Sequence, residues 1–303
     1  MNNSPQENAD VLLVGRYFCD LVFIGLPEFP RLGHEIYSHE LKLVPGGVAT
    51  PAIALSRLGL NVAWPCEFGS DPFSQFVKTE LIKEGVNQDF FKDLPNPLLR
   101  ITVAFSFDNE RAFLSYIDPL PKLPYAEIIR KTNPKWVYIT HLLIGSELDE
   151  IVLAVRSVNA KIFMDCQAHQ SAITDPAVIN ALRSVDVFSP NAEEASVLTG
   201  KENIESALEE LTRLTPLVII KQGSRGCLAR QAGVVMHSDA NPVDVKDTTG
   251  AGDNFNCGFL YGQIKGYPLD QTLRIANICG GLSTRGYGGS AASPTSVEIN
   301  DWL

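Results

Sequence analysis

An α/β domain built on a mostly parallel sheet is what this chain predicts, and three observations carry the expectation. Short apolar runs at 11–14, 136–139, 161–165, 185–189 and 217–221 alternate with longer stretches at 148–157, 192–198, 204–214 and 255–265, whose apolar residues recur at helical spacing. The short runs suit strands buried on both faces, as in a parallel sheet sandwiched between two layers of helices. A chain of 303 residues with 45% hydrophobic and 20% charged residues can bury a substantial core. No internal repeat or low-complexity linker divides it, so a single domain over 1–303 is expected.

Two segments break the alternation. Residues 21–44 contain Pro27, Pro30 and Gly33 and then an alternating stretch at 35–43. Residues 99–107 and 111–117 are short strand candidates joined by the polar turn Asp108-Asn109-Glu110. Together they predict a small antiparallel sheet projecting from the main domain.

Charge and cysteine usage exclude several classes. A net charge of −10 and a pI near 5.0 argue against a nucleic-acid protein, whose partner demands a basic face. An acidic protein can still bind a nucleotide through local amides, a few cations and a metal ion. The six cysteines are scattered with no Cys-x-x-Cys pair, which reads as buried thiols in a reducing compartment. Neither a basic leader with an apolar core nor a run long enough to span a membrane is present, so a cytoplasmic protein without membrane or nucleic-acid partners is expected.

The strongest chemical signal is Asp247-Thr248-Thr249-Gly250-Ala251-Gly252-Asp253, a glycine-rich turn opening into an apolar run. Glycines on either side of Ala251 let backbone amides converge on an anion at a helix N-terminus. Asp253 then stands beside that anion, where a carboxylate repels phosphate. Proton abstraction from a nucleophile gives it a reason to be there. The plain alternative is a helix start rich in turn residues; the run as a whole points instead to phosphoryl transfer.

This turn resembles the C-terminal signature Asp-Thr-x-Gly-Ala-Gly-Asp of the ribokinase (PfkB) carbohydrate kinase family, and every fixed position matches. Gly46-Gly47 leading to Arg57-Leu58-Gly59, then Gly69-Ser70-Asp71-Pro72-Phe73, Asn191-Ala192-Glu193-Glu194, and Lys221-Gln222-Gly223-Ser224-Arg225-Gly226 are similar to the family's other motifs, in the same order. The resemblance implies a ribokinase-like three-layer α/β/α domain with a small β-sheet lid, formed discontinuously by about 20–45 and 98–118, over the sugar site; the lid is often also a homodimer surface. It implies an ATP-dependent kinase acting on a hydroxymethyl group of a polyol, sugar or nucleoside, with Asp253 as general base and the amides around Gly250, Ala251 and Gly252 holding the transferring charge.

By the same resemblance Asp20, Gly46, Gly47 and the lid residue Arg111 face the acceptor, with His141, Gln167 and His169 as further polar candidates. Asn191, Gly223, Gly226 and Asn277 border the nucleotide. Mg²⁺ is required to offset the phosphate charge, held indirectly by Glu194, and Asp247 and Thr249 are candidates for K⁺ together with the loop at 283–290. Lys221 is a candidate phosphate contact, but a lysine ending a strand reads first as a solvated terminus and is kept out of the catalytic set. The chain departs from the family at Phe18 and Pro51, where ribokinases and most relatives carry asparagine, and this argues against ribose. A nucleoside kinase and a non-catalytic sensor of sugars or nucleotides are the alternatives. No Gly-x-x-x-x-Gly-Lys-Ser/Thr motif is present, and Gly286-x-Gly288 lies too near the C-terminus to open a dinucleotide fold.

Overall fold

The computed structural model describes residues 8–107, 110–119, 122–167 and 171–303. Its principal sheet has eight strands in the order Val234–Ser238, Cys227–Gln231, Leu217–Lys221, Val187–Ser189, Lys161–Asp165, Trp136–Ile139, Val11–Val14 and Val62–Ala63. The pairings from Leu217–Lys221 onward are parallel; the first two strands form an antiparallel hairpin on that edge.

Successive residues of a strand point to opposite faces, so a run that is apolar at every position feeds two cores. Leu13, Tyr138, Phe163 and Ile219 pack on one face against Phe259 and Leu260 of the helix Ala251–Ile264 and Ile275 and Ile278 of the helix Leu269–Ser283. Their neighbours Leu12, Val137, Ile162 and Val218 pack on the other face against Ile151, Val178 and Leu208 from three further helices. The layering is α/β/α, as expected. Six cysteines are free and buried. No helix among the described residues is long and apolar enough to cross a membrane.

A second sheet of four strands, in the order Glu40–Gly47, Tyr17–Ile24, Arg100–Phe107 and Glu110–Ile117, stands off the first. It is not wholly antiparallel, because Tyr17–Ile24 and Arg100–Phe107 run parallel. The alternating stretch expected at 35–43 becomes strand only from Glu40, and that strand continues through Gly46 and Gly47. The turn at 108–109 lies outside the described residues.

Two of the sequence motifs hold these parts together. Asp71 caps the helix Pro72–Lys83 by accepting from Phe73 N and Ser74 N, and its other oxygen accepts from Leu98 N at 2.8 Å, tying the helix to the root of the second sheet. Arg57 forks onto Glu84 and donates to the carbonyls of Ser290 and Ser293, anchoring the C-terminal loop.

Candidate active site

The glycine turn is built around Asp247. Its Oδ1 accepts from Thr249 N and Thr249 Oγ1, and its Oδ2 accepts from Gly288 N at 2.8 Å, so one carboxylate pins the turn to the loop that follows the last long helix. Gly250 has a φ of 70°, and a Cβ there would stand 2.5 Å from Gly289 Cα; both the backbone conformation and the close approach require glycine. Asn254 Nδ2 donates to the carbonyls of Gly250 and Gly289, which locks the same junction.

The helix begins at Ala251, four residues before the sequence expectation. Ala251 N is used within the turn, donating to Thr248 O at 3.2 Å. Gly252 and Asp253, in the first turn of the helix, line the cleft together with Gly250 and Ala251.

Asp253 sits in the first turn of this helix, half-buried, beside the hydroxyl of Tyr138. Burial pushes its pKa up to about 7; the negative charge of Asp165 pushes in the same direction, while Lys221 and the Tyr138 hydrogen bond pull the other way. Beneath it lies a buried network. Asp165 accepts from Lys221 Nζ at 2.8 Å on one oxygen and from Asn256 Nδ2 at 2.6 Å on the other. Asn256 also donates to Tyr138 Oη at 2.9 Å and accepts from Ser189 Oγ at 3.0 Å. Tyr138, Asp165, Ser189 and Lys221 come from four adjacent parallel strands, at or next to their C-terminal ends, where open α/β sheets place their ligands.

None of Tyr138, Asp165, Asn256 and Ser189 was singled out by the sequence reading. The available signal was the ending of three strands in polar residues and the placement of Asn256 three residues after Asp253, on the same helix face. Lys221 is corrected: its side chain is only 12% exposed and ion-paired.

A cleft of about 830 Å³ opens over the turn, lined by Glu194, Lys221, Gly223, Gly226, Asp253 and Asn277 among others. Gly226 has a φ of 79°, and a Cβ there would stand 2.0 Å from Ser238 O, so only glycine closes this turn beside the edge strand. Asn191 and Glu194 form a reciprocal capping box: Asn191 Oδ1 accepts from Glu194 N, and Glu194 Oε2 accepts from Asn191 N. Burial raises the Glu194 pKa against the pull of Lys221. Asn277 Nδ2 donates to Ser238 O and Oγ, bracing the edge strand against the last long helix.

A smaller cavity of about 260 Å³ lies at the root of the second sheet, lined by Arg16, Phe18, Gly47, Thr140, His141 and Gln167 among others. Gln167, at a φ of 46°, lines both cavities and so marks the seam between them. Asp20 and Gly46 lie on neighbouring strands in contact, since a Cβ on Gly46 would stand 2.0 Å from Asp20 Oδ2. Burial pushes the Asp20 pKa up to about 7 against a hydrogen bond from Thr102. Asp20 lines neither of these two cavities, although its charge is felt by Asp253. Pro51 is buried within the helix Ala49–Arg57 and lines neither. The side chain of Arg111, and His169 altogether, lie outside the described residues.

Residues 20–296 match the family model "pfkB family carbohydrate kinase". The chain belongs to that family, which makes it a phosphotransferase with an alcohol group as acceptor. It is 27% identical over 283 residues to a fructokinase of Klebsiella pneumoniae, covering 84% of this chain and 90% of that protein. In fold it resembles the ribokinase of Arabidopsis thaliana complexed with ribose and ATP, with a TM-score of 0.82 at 22% identity over 97% of this chain and 98% of that one. A fructokinase double mutant from Vibrio cholerae O395, in fructose, ADP and potassium ion bound form, gives a TM-score of 0.75 at 21% identity over 98% and 99%.

Proposed function

We propose that this chain transfers the γ-phosphoryl group of ATP to a hydroxymethyl group of a sugar or sugar-like small molecule, with Asp253 as general base. The observation that carries the reading is a carboxylate with a pKa pushed up to about 7, one residue past a glycine turn whose amides line a nucleotide-sized cleft. The acceptor hydroxyl gives its proton to Asp253 as its oxygen attacks the γ-phosphorus; the new O–P bond forms, the bond to the bridging oxygen breaks, and its electron pair leaves with ADP. The amides of Gly252 and Asp253 face the oxygens on which charge gathers.

Asn191, Gly223, Gly226 and Asn277 border the nucleotide in this reading. Glu194 fits an indirect Mg²⁺ role, because its Oε2 is taken by the capping box while its carboxylate borders the cleft. The metal supplies neutralisation of the phosphate charge. By the family resemblance a K⁺ would lie near Asp247 and Thr249 with the loop at 283–290, whose Gly288 N already donates to Asp247 Oδ2.

The acceptor lies by the smaller cavity, with Gly47 on its wall and the second sheet as a lid; Asp20, Gly46 and Arg111 are assigned to the acceptor by the family resemblance alone. Exposed apolar lid residues such as Leu41 and Leu114 suit coverage by a second copy. Phe18 on the cavity wall favours an acceptor with an apolar face and so keeps a nucleoside as the second reading. The test is acceptor-dependent ADP release with Mg²⁺ and ATP across ribose, fructose, 2-keto-3-deoxygluconate, adenosine and inosine. One or more of them forms a phosphate monoester. ADP release that is the same with and without every acceptor, and no ester, refutes the reading.

A further inference from the structure

We propose that Lys221 is a catalytic residue whose ammonium leaves Asp165 to pair with the γ-phosphoryl group when ATP enters the cleft. The inference rests on the kinase reading above and adds to it a group that the glycine turn alone does not supply.

The strand Leu217–Lys221 is held at its end, since Lys221 N donates to Pro190 O and the strand pairs with Cys227–Gln231 through Lys221 itself. The Cα is therefore fixed and only the side chain has freedom. That side chain crosses to the glycine turn: its Nζ is 3.5 Å from the point where a Cβ on residue 252 would stand, and 2.8 Å from Asp165 Oδ1. The ammonium thus stands beside the residue whose amide opens the anion site.

Charge makes the position consequential. Asp165, Glu194 and Asp253 all line the cleft, and Lys221 is the one lysine or arginine among the described residues that does. Three carboxylates facing an incoming polyphosphate are unfavourable without a cation that can move onto it. A lysine suits this task because its point charge turns on a flexible stem, so exchanging a carboxylate oxygen for a phosphate oxygen moves only the end of the side chain.

The rival role is static, with Lys221 serving only to neutralise Asp165 and so hold the Asn256–Tyr138 network. Two measurements on the folded protein separate them. In steady-state kinetics with Mg²⁺, ATP and the best acceptor, Lys221→Met lowers kcat by about 10² to 10³-fold, the scale of one lost donor to a developing anion, and Lys221→Met/Asp165→Asn stays about as far below Asp165→Asn alone. In calorimetric titrations without acceptor, Lys221→Met weakens ATP by at least about tenfold and leaves ADP within about threefold, because the lost contact is to the third phosphate.

Recovery of the double variant to the activity of Asp165→Asn, or equal weakening of ATP and ADP, overturns the proposal in favour of the static role. The titrations do not depend on which acceptor is correct, so an error in the acceptor class leaves them intact. Failure of the wild-type protein to bind ATP at all sinks the kinase reading and this inference with it.

Discussion

Tyr138 Oη accepts from Asn256 Nδ2 at 2.9 Å, and the same amide donates to Asp165 at 2.6 Å, so the hydroxyl is held beside the Asp253 carboxylate. That hydroxyl pulls the Asp253 pKa down against burial. Tyr138→Phe should therefore raise it further. The acid limb of kcat/KM against pH then moves to higher pH, by up to about one unit. An unmoved limb would show that Tyr138 serves packing alone.

Asp253 also predicts a trade of stability for activity. Its pKa of about 7 in the folded protein lies above the ordinary aspartate value of 3.8, so the native state favours the protonated carboxyl. The group is neutral in both states well below pH 3.8 and destabilises the fold progressively as pH rises through 3.8 towards 7. Asp253→Asn removes that penalty. Chemical denaturation should find the variant and wild type alike near pH 4 and the variant more stable by about 2–4 kcal/mol at pH 8. A constant difference across the range would mean that the carboxylate is not held against its charge.

For Glu194, charge and capping can be separated. Glu194→Gln keeps a side-chain acceptor for Asn191 N and so preserves the capping box, whereas Glu194→Ala removes it at a cost of about 1 kcal/mol. Both should raise the Mg²⁺ concentration for half-maximal activity, and only the alanine variant should also lower the melting temperature. An unchanged Mg²⁺ dependence in Glu194→Gln would leave Glu194 a structural cap.

Acceptor preference follows from Phe18 on the wall of the smaller cavity. A phenyl ring offers no partner to a buried hydroxyl, so ribose should be a poor acceptor beside molecules that turn an apolar face towards it. Ribose giving the highest kcat/KM of the five acceptors would contradict this.

What could be read from sequence follows a physical rule. The strands Trp136–Ile139 and Leu217–Lys221 announced themselves because burial on both faces leaves an unbroken apolar run. The strand Tyr17–Ile24 did not, since it mixes Asp20 with apolar residues and is defined only by partners at 40–47 and 100–107. The edge hairpin escaped because its turn is Ala232-Gly233, with φ values of 48° and 83°, rather than the usual Asn-Gly. In the site, the glycine turn was legible as a contiguous motif. Asp165 and Ser189 were not, and Lys221, although part of a motif, could not be paired with Asp165, because 56 residues separate the two and only the strand order brings them together.

Proton abstraction by Asp253 is tested by the turnover of Asp253→Asn on the preferred acceptor, measured beside its ATP affinity. Proton abstraction by Asp253 predicts kcat lower by about 10² to 10⁴-fold with ATP binding retained, the scale of a lost general base. Turnover near that of the wild type would contradict it.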